Sequence, residues 1–208
     1  IIDEAKKLID GGAKEITLLG QNVNAWNGSD YDKSVWGLGK LINELAKIKE
    51  LESIRYTTSH PLDMDLELLE AHRDIKKLMP YLHLPVQSGS DNILKLMNRK
   101  HTALEYMKVI EKVRYYKPEI AISGDFIIGF PGEMNKDHQA TIDLISEIKY
   151  SQAYSFKYSI RPGTPAGAFY DHVDEKIKNS RLQEVQEILR AQQMKFNKKF
   201  VNSTLKVL

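Results

Sequence analysis

Apolar residues fall along the chain in short blocks whose spacing switches between helical and strand-like. Ile2–Ile9 reads as the end of a helix, stopped by Gly11 and Gly12. Glu15–Leu19 is a compact apolar run ending at Gly20, the mark of a strand, and a polar loop over Gln21–Trp36 follows. Leu38, Leu41, Ile42, Leu45 and Ile48 lie on one face of a helix over Leu38–Lys49. The pattern continues with a strand over Ser53–Thr58 and a helix over Asp65–His72 capped by Asp63 or Asp65. Next come a strand over Tyr81–Pro85 and helices over Ser90–Asn98 and Thr102–Tyr115. Thr102 and Glu105 are spaced for a capping box. A strand within Ile120–Gly129, a helix over Asn135–Ile148, an alternating strand over Ala153–Ser159 and a long amphipathic helix over Asp174–Phe200 complete the series. Thr204–Leu208 reads as the start of another strand.

Helices and strands alternate throughout. Such an order calls for a parallel sheet with crossover helices, either a barrel or part of one. The leading helix implies a strand before it, so the expectation is an internal piece of a longer protein.

The polar residues concentrate where the predicted strands end. Gln21, Asn22 and Asn24 follow the first; Thr57, Thr58, Ser59 and His60 the second; Gln87, Ser88, Ser90 and Asp91 the third. The fourth carries Asp125 and runs into Gly129-Phe130-Pro131-Gly132-Glu133, and the fifth ends near Tyr158, Ser159 and Arg161. Crossover connections put these exits on one side, where ligands bind in barrels and open α/β folds. Helix capping explains one residue at each exit, but these carry three to five.

Composition narrows the chemistry. Of 208 residues, 42% are hydrophobic, enough for a core and too many for a disordered chain. No apolar run reaches the ~20 residues of a membrane span. Thirty basic against twenty-eight acidic residues leave the charge near neutral, which announces no nucleic acid by itself. The sequence has no cysteine, so it provides no thiolate for a disulfide, a zinc site or an iron–sulfur cluster. A cytoplasmic location is compatible with that.

Individual motifs carry different weight. In Gly129–Glu133 two glycines and a proline permit close backbone approach, and N–H groups at the next helix start favour an anion. A tight turn leading into a helix explains the same letters. Period two puts Asp125, Ile127 and Gly129 on one strand face, where an acid is costly unless paired. His60 and His83 lack metal-ligand spacing, and His138 reads as a solvated helix residue. Lys195, Lys198, Lys199 and Lys206 form an acid-free basic tail, suited to phosphates or simply to solvent.

Five segments, in this order, carry a family likeness: LLGQNVNAW (Leu18–Trp26), RYTTSHP (Arg55–Pro61), LHLPVQSGSDNILKLMNRKHT (Leu82–Thr102), SGDFIIGFPGE (Ser123–Glu133) and YSIRPGTPA (Tyr158–Ala166). Together they resemble the radical S-adenosylmethionine methylthiotransferases, and within them the MiaB branch that modifies tRNA. The likeness implies an α/β fold, a partial (β/α)6 radical SAM barrel that lacks its first strand and cluster loop here. It implies a core over residues 1–200, with residues 201–208 leading into a TRAM-like segment. The implied reaction adds a 2-methylthio group to N6-isopentenyladenosine beside the anticodon. The implied cofactors are S-adenosylmethionine and two 4Fe–4S clusters. The implied partners are the tRNA anticodon loop and an electron-donor protein, with no membrane and a cytoplasmic setting.

Site roles follow from the likeness position by position. Gln21 and Asn22 belong near the methionine end of the cofactor, with Thr58, Ser59 and His60 facing the same region. Gln87 and Ser88 match positions for ribose or carboxylate contacts. Asp125, Gly129 and Glu133 belong to the segment beside adenine, and Arg161 suits a carboxylate. The CxxxCxxC loop of the family is not in this sequence, and Gly124 stands where Ser or Thr is expected. The chain alone is therefore expected to be inactive. Two other readings remain at this point: a sister methylthiotransferase acting on a ribosomal protein or on threonylcarbamoyl-adenosine, and a non-catalytic module that holds tRNA or a protein.

Overall fold

A computed structural model describes residues 1–29, 33–57 and 59–205. The chain forms two compact units. The first comprises chiefly Ile1–Leu84 with Glu111–Ala121, and the second Pro85–Ile110 with Ile122–Ser203.

In the first unit α1 (Ile2–Asp10) leads into β1 (Glu15–Leu18), and a short hairpin of β2 (Gly28–Ser29) and β3 (Val35–Trp36) precedes α2 (Leu38–Ala46). Then come β4 (Ser53–Tyr56), α3 (Leu66–Asp74) and β5 (Tyr81–His83). β1 and β4 run parallel, with Ile16 opposite Ile54 and Leu18 opposite Tyr56. Lys77–Met79 extends the pairing beside Ile54 in the same sense. The hairpin lies inside the stretch expected to be a polar loop. Each of its strands has two residues, too short to show a period of two.

Ile42, Leu45, Ile54, Leu68 and Leu82 are fully buried and form this unit's apolar interior. Each contributes roughly 1.5–3 kcal/mol by leaving water. α3 starts as its sequence predicts: the Asp65 carboxylate accepts the Leu68 N–H at 2.7 Å. Asp63, the other candidate cap, instead accepts from Asn22 Nδ2.

The second unit holds α4 (Asp91–Leu96), most of α5 (Ala103–Tyr116) and β6 (Ala121–Ile128). It continues with α6 (Asn135–Ile148), β7 (Gln152–Lys157) and α7 (Glu175–Asn197). β6 and β7 are parallel, with Asp125 opposite Tyr154 and Ile127 opposite Phe156. Phe126 and Ile128 point into the core and are completely buried, while Asp125 and Ile127 on the other face are half-buried. The Phe126 ring meets Tyr150 edge-on at 5.5 Å, and the Tyr150 hydroxyl lies 3.0 Å from that of Tyr106. Thr102 and Glu105 form the expected reciprocal cap of α5: Glu105 Oε2 accepts the Thr102 N–H, and Thr102 Oγ1 accepts the Glu105 N–H. α7 gives way to a short turn at Lys198–Phe200 instead of running on to Phe200 as one helix. The strand expected from Thr204 falls mainly on residues outside the described set.

One buried polar pair sets an acid limit on the first unit. The Tyr56 hydroxyl lies 2.6 Å from His72 Nε2, with both side chains in the core. Burial, helped by the Lys117 charge, lowers the His72 pKa to about 4. The folded chain therefore keeps His72 neutral, while the unfolded chain takes up a proton near the ordinary value of 6.5. Stability from this site is fully present above that value and drains away as the pH falls toward 4, by about 3 kcal/mol in all. Urea unfolding across this range is expected to show a flatter pH slope in His72→Gln than in the wild type.

Candidate functional site

The polar residues at the strand exits divide between the two units. In the first, the loop after β1 and the loop after β4 are joined by a reciprocal amide clamp. Asn24 Nδ2 donates to the His60 carbonyl at 2.8 Å, and the His60 N–H donates to Asn24 Oδ1 at 2.8 Å. Asn24 is buried, so both halves of the clamp are shielded from water. Beside it Asn22 Nδ2 reaches Asp63 Oδ2 at 2.7 Å. The His60 ring folds over its own loop, its Nδ1 accepting from the Leu62 N–H at 3.3 Å. Gln21 is exposed, and Thr58 lies outside the described residues. Ser59 differs from all of these, since its hydroxyl is buried and meets no protein partner. An unpaired buried hydroxyl is costly, and a ligand oxygen or nitrogen is one way to satisfy it.

In the second unit the segment leading from Pro85 bends sharply at Gln87. This residue has φ +79°, a left-handed conformation uncommon for a side chain of its size. The bend lets Gln87 join β6: its N–H donates to the Asp125 carbonyl at 2.9 Å, and its carbonyl accepts from Ile127 at 3.0 Å. Gln87 and Asp125 are thereby joined through the backbone.

Ser88 takes another course. Its hydroxyl is buried against Thr141 Oγ1 on α6 at 3.3 Å and accepts from the Ser90 N–H. The Gly89 N–H donates to Thr141 Oγ1 at 3.0 Å, and Ser90 Oγ donates to Asp137 Oδ1 at 2.5 Å. A Cβ on Gly89 would stand 2.3 Å from the Ala140 carbonyl, so only glycine lets the loop lie against α6. Thr141 sits mid-helix and Asp137 in the first turn of α6, and neither carries a sequence signal as a partner of this loop.

The glycine-rich turn after β6 does not offer the anion seat expected from its letters. Gly129 (φ +72°) and Gly132 (φ +82°) provide the left-handed corners. The N–H groups around them are already used. Glu133 Oε2 accepts from Gly129 at 3.1 Å, the Asp171 carbonyl from Gly132 at 2.9 Å, the Phe130 carbonyl from Glu133, and Asp137 Oδ2 from Met134. Two carboxylates of the protein thus occupy the place where a phosphate would bind. Glu133 is buried, and desolvation pushes its pKa up while the Gly129 N–H and Arg181 pull it back. Arg181 Nη1 meets Glu133 Oε1 at 2.8 Å. His138, expected to be solvated, is buried beside this network with Nε2 2.8 Å from Glu184 of α7.

The open face of β6 and β7 presents Asp125 and Ile127 next to Tyr154 and Phe156, which are 46% and 57% exposed. At its upper end the Tyr158 hydroxyl is buried without a protein partner, and its ring stacks with His172. Arg161 lies exposed in the following loop, where its carbonyl accepts from Thr164 Oγ1 at 2.8 Å. Among the described residues no group of three or more His, Asp or Glu side chains is placed to hold a metal ion. None of their helices is long and apolar enough to cross a membrane.

Parallel strands, crossover helices and polar residues past the strand C-termini define an α/β fold, a class whose ligands bind past the carboxyl ends of the strands. The Radical SAM superfamily profile matches residues 1–145, and the chain belongs to that superfamily. Solved structures share the fold. The radical S-adenosylmethionine methyltransferase TsrM of Kitasatospora setae, with cobalamin and a 4Fe–4S cluster bound, aligns over 80% of this chain and 32% of its own, with 14% identity and a TM-score of 0.59. Elp3 of the archaeon Methanocaldococcus infernus, lacking its N-terminal 1–46, aligns over 91% of this chain and 48% of its own, at 13% identity and a TM-score of 0.54. OxsB, a cobalamin-dependent S-adenosylmethionine radical enzyme with aqua-cobalamin and S-adenosylmethionine bound, aligns over 91% of this chain and 26% of its own, at 12% identity and a TM-score of 0.52. The chain spans less than half the length of these proteins.

Membership implies S-adenosylmethionine and a 4Fe–4S cluster. The residues present do not fit the cluster, because the sequence supplies no thiolate. The buried hydroxyls of Ser59 in the first unit and of Tyr158 in the second have no protein partner, so each can still donate to a ligand.

The clamp between the first two exits has a measurable worth. Asn24→Ala strips both hydrogen bonds from the His60 backbone, so a loss of about 1–3 kcal/mol is expected in urea unfolding. An unchanged midpoint would show that the two loops hold their positions without it.

Proposed function

We propose that the chain is the S-adenosylmethionine-binding core of a tRNA methylthiotransferase of the MiaB type, which adds a 2-methylthio group to N6-isopentenyladenosine. The observation that carries this reading is positional. Each of the five segments resembling that branch includes the exit of a strand, β1, β4, β5, β6 or β7, or the loop that follows it; Ser123–Glu133 also covers most of β6, and Leu82–Thr102 runs on through α4. Superfamily membership supports the cofactor class.

In this reading each unit carries its own candidate contacts to the cofactor: Gln21, Asn22, Ser59 and His60 in the first, and Gln87, Asp125, Gly129 and Arg161 in the second. S-adenosylmethionine, when bound, supplies the methylsulfonium chemistry of the superfamily. The residues of this chain bind and orient it. The Ser59 hydroxyl donates to a ligand acceptor, the Asp125 carboxylate accepts from a ligand hydroxyl or amine, and the Arg161 guanidinium pairs with a carboxylate. Ser88 and Glu133 serve the site by fixing their loops, since their polar atoms are engaged with Thr141 and with Arg181. One carboxylate and one guanidinium among neutral donors and acceptors suit a zwitterionic nucleoside better than a nucleotide. The anticodon loop, an electron donor protein and a cytoplasmic setting belong to the same proposal.

Two experiments test it. In a strain lacking the gene, tRNA nucleosides are expected to lose 2-methylthio-N6-isopentenyladenosine and to accumulate N6-isopentenyladenosine. Intact tRNA with loss of a methylthio group from a ribosomal protein or from threonylcarbamoyl-adenosine would assign the sister branch instead. Anaerobic treatment of the 208-residue chain with iron and sulfide is expected to yield no thiolate-ligated 4Fe–4S signal.

A further inference from the structure

α7 grips the turn after β6 through buried charged side chains. Arg181 is 7% exposed and makes three hydrogen bonds there. Its Nη1 donates to Glu133 Oε1 at 2.8 Å and to the Glu133 carbonyl at 3.0 Å, and its Nη2 donates to Asn135 Oδ1 at 2.8 Å. Glu133 passes the constraint on, because its other oxygen holds the Gly129 N–H. One helical turn earlier the stem of Lys178 lies across Gly129, where a Cβ would fall 2.2 Å from Lys178 Cγ. The Lys178 ammonium pairs with Glu175, which also binds Lys157 at the end of β7. The left-handed corner at the exit of β6 is therefore held from below by α7 and through a carboxylate that no ligand can reach.

We propose that Arg181 is a positioning residue for the nucleoside cofactor: acting through Glu133, it fixes the backbone at Gly129 in the shape that the ligand meets. The role rests on the cofactor reading above. Arg181 itself touches no ligand. A carboxylate inside the turn serves only while a buried cation balances it, because an unbalanced buried charge is among the most costly of single defects. Lysine in its place can satisfy one or two of the three acceptors but not all in the plane of a guanidinium.

The test is calorimetric binding of S-adenosylhomocysteine, a stable probe, to the full chain and its variants. R181M is expected to weaken binding about tenfold at pH 8. The defect should shrink as the pH is lowered, because burial raises the Glu133 pKa and Glu133 without its counter-ion takes up a proton more readily. R181M/E133Q, with no stranded charge, should recover most of the affinity and lose the pH dependence. His138 and Asp137 of α6, Lys178 of α7 and Asp171 before α7 also face this turn, and a pH effect that persists in the double variant belongs to them. A merely structural role would lower melting temperature and affinity together, without rescue by E133Q.

If R181M does not fold, E133Q and R181M/E133Q are compared instead. Affinities within threefold are expected, and a tenfold loss in the double variant overturns the proposal. If the wild type binds the probe and R181M binds it equally well, the positioning role falls while the cofactor reading stands. If the wild type does not bind, the cofactor reading falls and the role of Arg181 with it.

Discussion

When a parallel strand leaves its ladder, the backbone groups just beyond it lose their partners, yet the following helix holds them close to the core. Each of those groups must find a new partner or remain open to a ligand. This protein meets the requirement with side-chain clamps. Asn24 closes on His60 in the first unit. In the second, Thr141 and Asp137 hold Ser88–Ser90, and Glu133 with Arg181 holds Gly129. Each clamp ties a loop that carries polar residues to a neighbouring loop or helix.

The clamps also sort the polar residues into two kinds. Ser88 and Glu133 look alike in sequence to other small or acidic residues at strand exits, Ser59 among them. Their partners separate them. Ser88 and Glu133 are tied to α6 and α7, whereas the Ser59 hydroxyl is buried with no protein partner. The glycine-rich turn shows the same economy: the protein's own carboxylates fill the seat that its N–H groups would offer to a phosphate. Among the described hydroxyls at the strand exits, those of Ser59 in one unit and Tyr158 in the other stay buried without a protein partner.

Beneath the loops, the aromatic and aliphatic interior makes the clamps effective. Phe126 and Ile128 anchor β6 on its covered face, and Tyr106 and Tyr150 join their hydroxyls inside the core. A strand fixed on one side by full burial cannot drift, so a hydrogen bond at its exit holds a loop in one place. Gln87 uses that stability to sustain a left-handed backbone, a conformation that costs about 1 kcal/mol or more and persists only when its neighbours enforce it.

Much of this architecture was legible in the chain itself. Apolar spacing placed the main helices and strands within a few residues, because burial imposes a period of 3.6 or 2 on any element with one covered face. The capping residues Asp65, Thr102 and Glu105 announced themselves, since a cap acts on N–H groups three residues away. The family motifs marked the exits for the same reason: they are contiguous. The β2–β3 hairpin escaped because two residues show no period, and His138 read as solvated because nothing local reveals Glu184 on another helix. Asn24 with His60, Ser88 with Thr141 and Glu133 with Arg181 are separated by 36, 53 and 48 positions. Contacts at such range depend on how elements pack, not on local propensity, so only the tertiary structure could decide which polar residues brace a loop and which, like Ser59, keep an unpaired group.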